Sequence, residues 1–194
     1  MKLTRGYFNN YRVSDSAVLN ESYNRTRTFS STGIRSASGT TVFISHKHDD
    51  LADLQGLLDF LTKEYNVVPF IDSMDKGMPK NTCAETANRI KQAISGCGKF
   101  LLLATNKALA SKWCNWEVGI ADKLKLPTNN MAILPMVDTP GSFYSGNEYL
   151  EIYPYVDEWE NHAGKRILTV IYRDSNGIEM RVSLRDWLRS ESNY

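Results

Sequence analysis

Glu117 occupies a position where an acid calls for an explanation. The stretch "SKWCNWEVGIADKLK", Ser111 to Lys125, has the spacing of one amphipathic helix, and its carboxylate falls among Trp113, Cys114, Trp116, Val118 and Ile120. Trp113 and Glu117 stand one turn apart on the same face, away from Lys112, Asp122, Lys123 and Lys125. Taking a carboxylate out of water is costly unless something pairs with it. Such an acid either has a structural partner or faces a cleft that a ligand fills.

A second polar group is "SHKHDD", where an apolar run gives way to a helical pattern. Asp49 and Asp50 read as helix-capping acids, favourable in a first turn. Ser45, His46 and Lys47 precede the cap and offer a hydroxyl, an imidazole and a cation to an anionic ligand. A third element, "DSMDKGMPKN", carries Gly77 and Pro79 as turn punctuation and Met78 at its tip. It reads as a connection, a lid or a docking element.

Other chemistries lack their residues. His46, His48 and His162 form no HExxH, and neither GxSxG nor the phosphate-cradling GxGxxG or GxxxxGK[ST] occurs. A receiver-type phosphoacceptor site would need an aspartate ending the third strand, which instead reads "LLLATN". Cys83, Cys97 and Cys114 show no CxxC spacing, so no disulfide framework and no metal site is expected.

The elements that must position these residues alternate. "TVFIS", "VVPFID", "KFLLLAT", "MAILPMVD" and "RILTVIYRD" are five strand candidates. Helical spacing covers Asp49 to Tyr65, Ala84 to Cys97 and Ser111 to Lys125, with a weaker helix in "SGNEYLEIYPYV" and a last one in "SLRDWLRS". Strands apolar on both faces, with connections long enough for crossover helices, predict a flavodoxin-like α/β fold: a five-stranded parallel sheet with helices on both faces. Ligands bind such sheets beyond the carboxyl ends of the strands. That rule selects Ser45 to Asp49, Asp72 to Lys80 and Thr105 to Glu117.

Residues 1–40 are rich in Ser, Thr, Asn and Arg and read as a polar extension or linker, leaving 41–194 as one domain. A chain of 194 residues with 42% hydrophobic content suits that size. Lys+Arg 23 against Asp+Glu 22 makes no electrostatic case for nucleic acid. No apolar run approaches a membrane span or the core of a signal peptide, so no membrane partner and a cytoplasmic location are expected.

"TVFISHKHDD", "VVPFIDSMDKGMP" and "SKWCNWEVGIA", in that order, resemble the Toll/interleukin-1 receptor (TIR) domain, most closely its stand-alone bacterial members of the Thoeris antiphage-defence type. The likeness spans roughly Thr41 to Asp174. It implies a flavodoxin-like fold. In catalytic members the glutamate of a W-x-x-x-E helix cleaves the nicotinamide–ribose bond of NAD+, and Trp113 and Glu117 match that pair. The resemblance also implies that Trp113, Ser45, His46 and Lys47 bind substrate and that the loop Ser73–Lys80 mediates self-association and closes over substrate. NAD+ would be a substrate, with no cofactor.

Water as acceptor gives ADP-ribose; attack by the bound adenine or its ribose gives a cyclic isomer. Such a nucleotide signal would act on a separate effector protein. The family also contains non-catalytic scaffolds, and a deoxyribose transferase reading uses a similar fold and a carboxylate.

Overall fold

The computed structural model of the chain describes residues 3–12, 39–71, 84–140, 148–161 and 163–190. Its strands are β1 Leu3–Thr4, β2 Thr41–Ser45, β3 Val68–Phe70, β4 Lys99–Ala104, β5 Met131–Val137, β6 Tyr155–Glu160, β7 Arg166–Arg173 and β8 Glu179–Ser183. Its α-helices are α1 Leu51–Tyr65, α2 Ala84–Gly96, α3 Asn106–Ala110, α4 Lys112–Lys125 and α5 Leu184–Arg189.

Every residue of β2, β4 and β5 is buried, as expected of central strands covered on both faces. Alternation divides their side chains between two cores. Val42, Ile44, Leu101 and Leu103 pack with Leu54, Leu57 and Leu61 of α1 and with Leu184, Trp187 and Leu188 of α5. Phe43, Phe100 and Leu102 pack on the other face with Ile90 and Ile94 of α2 and Cys114 and Val118 of α4. There the Phe43 ring stacks between Phe70 and Phe100 at 5.6 and 5.7 Å.

The strand order is β3-β2-β4-β5-β6-β7-β8, with β1 pairing β5 off that path. β3, β2, β4, β5 and β6 run parallel, and β7 and β8 extend the sheet antiparallel. The expected class therefore holds, with two differences in its elements. "RILTVIYRD" is not the fifth parallel strand, because only the hairpin segment 161–165 separates β7 from β6, too short for a crossover. The described part of "SGNEYLEIYPYV" holds a short 3-10 helix, Glu148–Ile152, and then gives way to β6, which begins at Tyr155 just after Pro154. β6 supplies the parallel strand that the sequence reading assigned to β7.

A further correction concerns the N-terminus. Residues 3–12 are not a polar extension: Leu3 and Thr4 pair in parallel with Met136 and Val137, beyond the stretch of β5 that β4 and β6 use. Leu3 and Phe8 are fully buried in the core beneath α1. Gly56 of α1 permits the close approach, since a Cβ there would lie 2.6 Å from the Phe8 carbonyl oxygen. The hydroxyl of Tyr7 donates to Glu158 Oε1 at 2.8 Å, joining the segment to β6. No helix among the described residues is long and apolar enough to cross a membrane.

Candidate active site

β2 delivers Ser45 to the carboxyl edge of the sheet, and α4 brings Glu117 over it. The Ser45 hydroxyl donates to Glu117 Oε2 at 2.5 Å, and both side chains are buried, 1% and 2% exposed. A donor of this kind offsets part of the cost of taking the carboxylate out of water.

Local sequence fixes how α4 meets the strand. α3 is capped before its start by Thr105, whose Oγ1 accepts the Ala108 N–H at 3.1 Å, and is followed by Ser111, whose extended backbone breaks the helical path. Ser111 caps α4 by accepting the Cys114 N–H, and the Asn115 amide donates back to the Leu109 carbonyl at 3.0 Å, bracing the two helices. Cys114 then reaches across the gap, its Sγ donating to the His46 carbonyl at 3.3 Å. The turn after β2 is thus held to α4 at two successive residues, Ser45 and His46.

Trp113 precedes Glu117 by one turn and pairs its ring with Trp116 at 4.9 Å, tilted 31°. Both indoles are half-buried, and Lys91 Nζ lies 5.8 Å from the Trp116 ring. His46 is buried, its Nδ1 3.4 Å from the Ile44 carbonyl. Lys47 is half-buried, and its carbonyl accepts the Asp50 N–H at 2.8 Å. Of the five residues singled out in the sequence, Ser45 and Glu117 meet directly, Trp113 shares the helix of Glu117, His46 reaches α4 through its carbonyl, and the Lys47 carbonyl contact is to Asp50 within its own turn. The loop Ser73–Lys80 lies outside the described residues.

Asp50 is not a capping side chain. It makes no cap hydrogen bond; fully buried, it accepts from Thr105 Oγ1 at 2.5 Å and pairs with Arg5 at 3.0 Å. Asp49 is the exposed member, 4.0 Å from Lys107. Thr105 and Cys114 fall within the rim segment Thr105 to Glu117 that the sequence selects, without a role assigned to either, whereas Arg5 lies outside every selected segment.

The model of the TIR domain family matches residues 42–168. The chain belongs to the TIR domain family. The matched stretch holds Ser45, His46, Lys47, Trp113 and Glu117, while Arg5, β8 and α5 fall outside it. A similar protein is the "Probable 3' cyclic ADP-D-ribose synthase ThsB'" of Bacillus cereus (strain MSX-D12), 30% identical over 119 residues. Those residues are 59% of this chain and 59% of the relative, so the chain spans less than two thirds of that protein's length.

Proposed function

We propose that this TIR protein cleaves the bond between nicotinamide and ribose in NAD+ with Glu117 as the catalytic carboxylate. The observation that carries the reading is the buried Ser45–Glu117 hydrogen bond at the carboxyl edge of the parallel sheet. Nicotinamide leaves as a neutral molecule from a cationic ring, so one carboxylate suffices, unlike glycoside hydrolysis with its acid and base pair. Glu117 holds the ribose hydroxyls and offsets the oxocarbenium charge as the C–N bond lengthens, and a site poor in water strengthens that attraction. Ser45 holds one oxygen of the carboxylate in place. Trp113 packs a flat face against the substrate, and His46 and Lys47 line the nicotinamide side.

The name of the Bacillus relative favours a cyclic product. In that outcome a hydroxyl of the bound nucleotide forms a bond to the ribosyl carbon as nicotinamide departs with the C–N electron pair, and the hydroxyl proton passes to solvent. The cyclic ADP-ribose so made is a diffusible signal in antiphage defence, read by a separate effector protein in the cytoplasm. Self-association through Ser73–Lys80 is part of the proposal. Incubating the purified chain with NAD+ and identifying products by mass tests it: nicotinamide with a cyclic ADP-ribose is expected. Unchanged NAD+ at every protein concentration would turn the reading toward a non-catalytic scaffold.

A further inference from the structure

Asp50 is a second buried carboxylate, five residues after Ser45 in the turn that follows β2, and its counter-charge comes from outside the matched TIR region. Arg5 Nη2 lies 3.0 Å from Asp50 Oδ1, Arg5 Nε 2.9 Å from Asp53 Oδ2, and Arg5 Nη1 3.8 Å from Asp138 Oδ1. Its backbone is held as well: the Arg5 N–H donates to the Val137 carbonyl at 2.9 Å, and the Gly6 N–H donates to Asp53 Oδ1 at 2.7 Å. Asp53 lies in the first turn of α1, and the other two carboxylates stand after central strands. Asp50 follows β2 and Asp138 follows β5, and Asp50 reaches Thr105, which follows β4. One guanidinium thus links the rim segments of three strands to the N-terminal strand.

We propose that Arg5 is a positioning residue for the Glu117 site: by neutralising Asp50 it holds the Lys47–Asp50 turn, and through it Ser45 and His46, in register with α4. The Asp50 N–H closes that turn on the Lys47 carbonyl. One and two residues before Lys47, His46 and Ser45 make the contacts to Cys114 and Glu117. Without Arg5, a fully buried carboxylate has lost its cation, and an uncompensated buried charge favours turning the side chain toward water. That change loosens the turn, and a misplacement of about 1 Å near a reacting centre is felt in the rate. The inference rests on the NAD+-cleaving reading for its rate measurements and on geometry alone for its spectroscopic one.

The test compares Arg5→Met, the double variant Arg5→Met/Asp50→Asn, and Phe8→Ala as a packing control in the same segment. Arg5→Met should lower kcat for nicotinamide release on the order of 10- to 100-fold with little change in KM. Adding Asp50→Asn should restore most of that loss, because the amide needs no counter-ion and still offers Thr105 an acceptor oxygen. Phe8→Ala should lower the unfolding temperature yet leave kcat per folded molecule near wild type. Wild-type kcat in folded Arg5→Met, no recovery in the double variant, or an equal kcat loss in Phe8→Ala each overturns the proposal.

If Arg5→Met does not fold, Arg5→Lys takes its place. One ammonium cannot serve Asp50 and Asp53 as the guanidinium fork does, so an intermediate kcat loss is expected and full activity overturns the proposal. If the wild-type protein releases no nicotinamide, the NAD+ reading fails separately. The fluorine spectrum of 5-fluorotryptophan-labelled protein then decides: Arg5→Met should shift the Trp113 resonance and leave Trp159 in place, and an unmoved Trp113 overturns the proposal.

Discussion

The hydroxyl of Ser45 and the carboxylate of Glu117, 72 residues apart in the chain, meet at 2.5 Å with both groups buried. Ser45→Ala removes the donor and leaves Glu117 Oε2 without it. A lost bond to a buried charged group is worth about 1.5–3 kcal/mol. Nicotinamide release should therefore fall at least about tenfold, with a lower unfolding temperature, and kinetics paired with a thermal scan checks both.

Removing residues 1–38 should destabilise the domain. Leu3 and Phe8 are buried in the core, and burial of such side chains is worth about 1.5–3 kcal/mol each. Gly56→Ala should act in the same direction, because its methyl would press on the Phe8 carbonyl. Denaturant unfolding of both variants is the check; a truncated protein as stable as the full chain would separate residues 3–12 from the core.

The different legibility of these parts has a physical basis. Glu117 and Trp113 could be placed on one helix face because helical spacing shows which residues share it, and Ser45 at a strand end because it ends an apolar run. The two-sided burial of β2, β4 and β5 is equally written in their composition. Arg5 gave no such sign: a cation in a polar stretch has no period, and its partners Asp50, Asp53 and Asp138 lie far along the chain. Leu3 and Phe8 are too widely spaced among polar residues to suggest a core element. β7 is buried in its middle like a parallel strand, and orientation comes from the hairpin before it, not from its own side chains.

The pole opposite the site sets a pH dependence. Lys99 is buried, donating to Asn130 Oδ1 at 2.5 Å and Ser190 Oγ at 2.9 Å, and burial lowers its pKa to about 8. Its folded pKa lies below the ordinary value of 10.5, so above about pH 8 the unfolded chain binds the extra proton and stability rises with pH. Lys125, also lowered by burial, contributes in the same direction. Cys97 acts oppositely above its ordinary value of 9.0, because burial pushes its thiol to about 12. The window for Lys99 is therefore about pH 8 to 9. Denaturant midpoints should rise across it in the wild type and less so in Lys99→Met.

Self-association should make activity per molecule rise with protein concentration, and Met78→Asp should weaken both association and activity. Light scattering and nicotinamide release over one dilution series measure them together. Strict proportionality of rate to protein, with an unaffected variant, would describe a self-sufficient monomer.

The most direct test of the central claim is nicotinamide release from NAD+ by Glu117→Gln beside the wild type, with cooperative unfolding of both verified. The amide keeps the shape of the side chain and an acceptor for Ser45 but removes the negative charge that would stabilise the cationic transition state. The account predicts a folded variant with release reduced to background. A folded variant that cleaves NAD+ at a near wild-type rate would contradict it and make Glu117 a structural partner of Ser45.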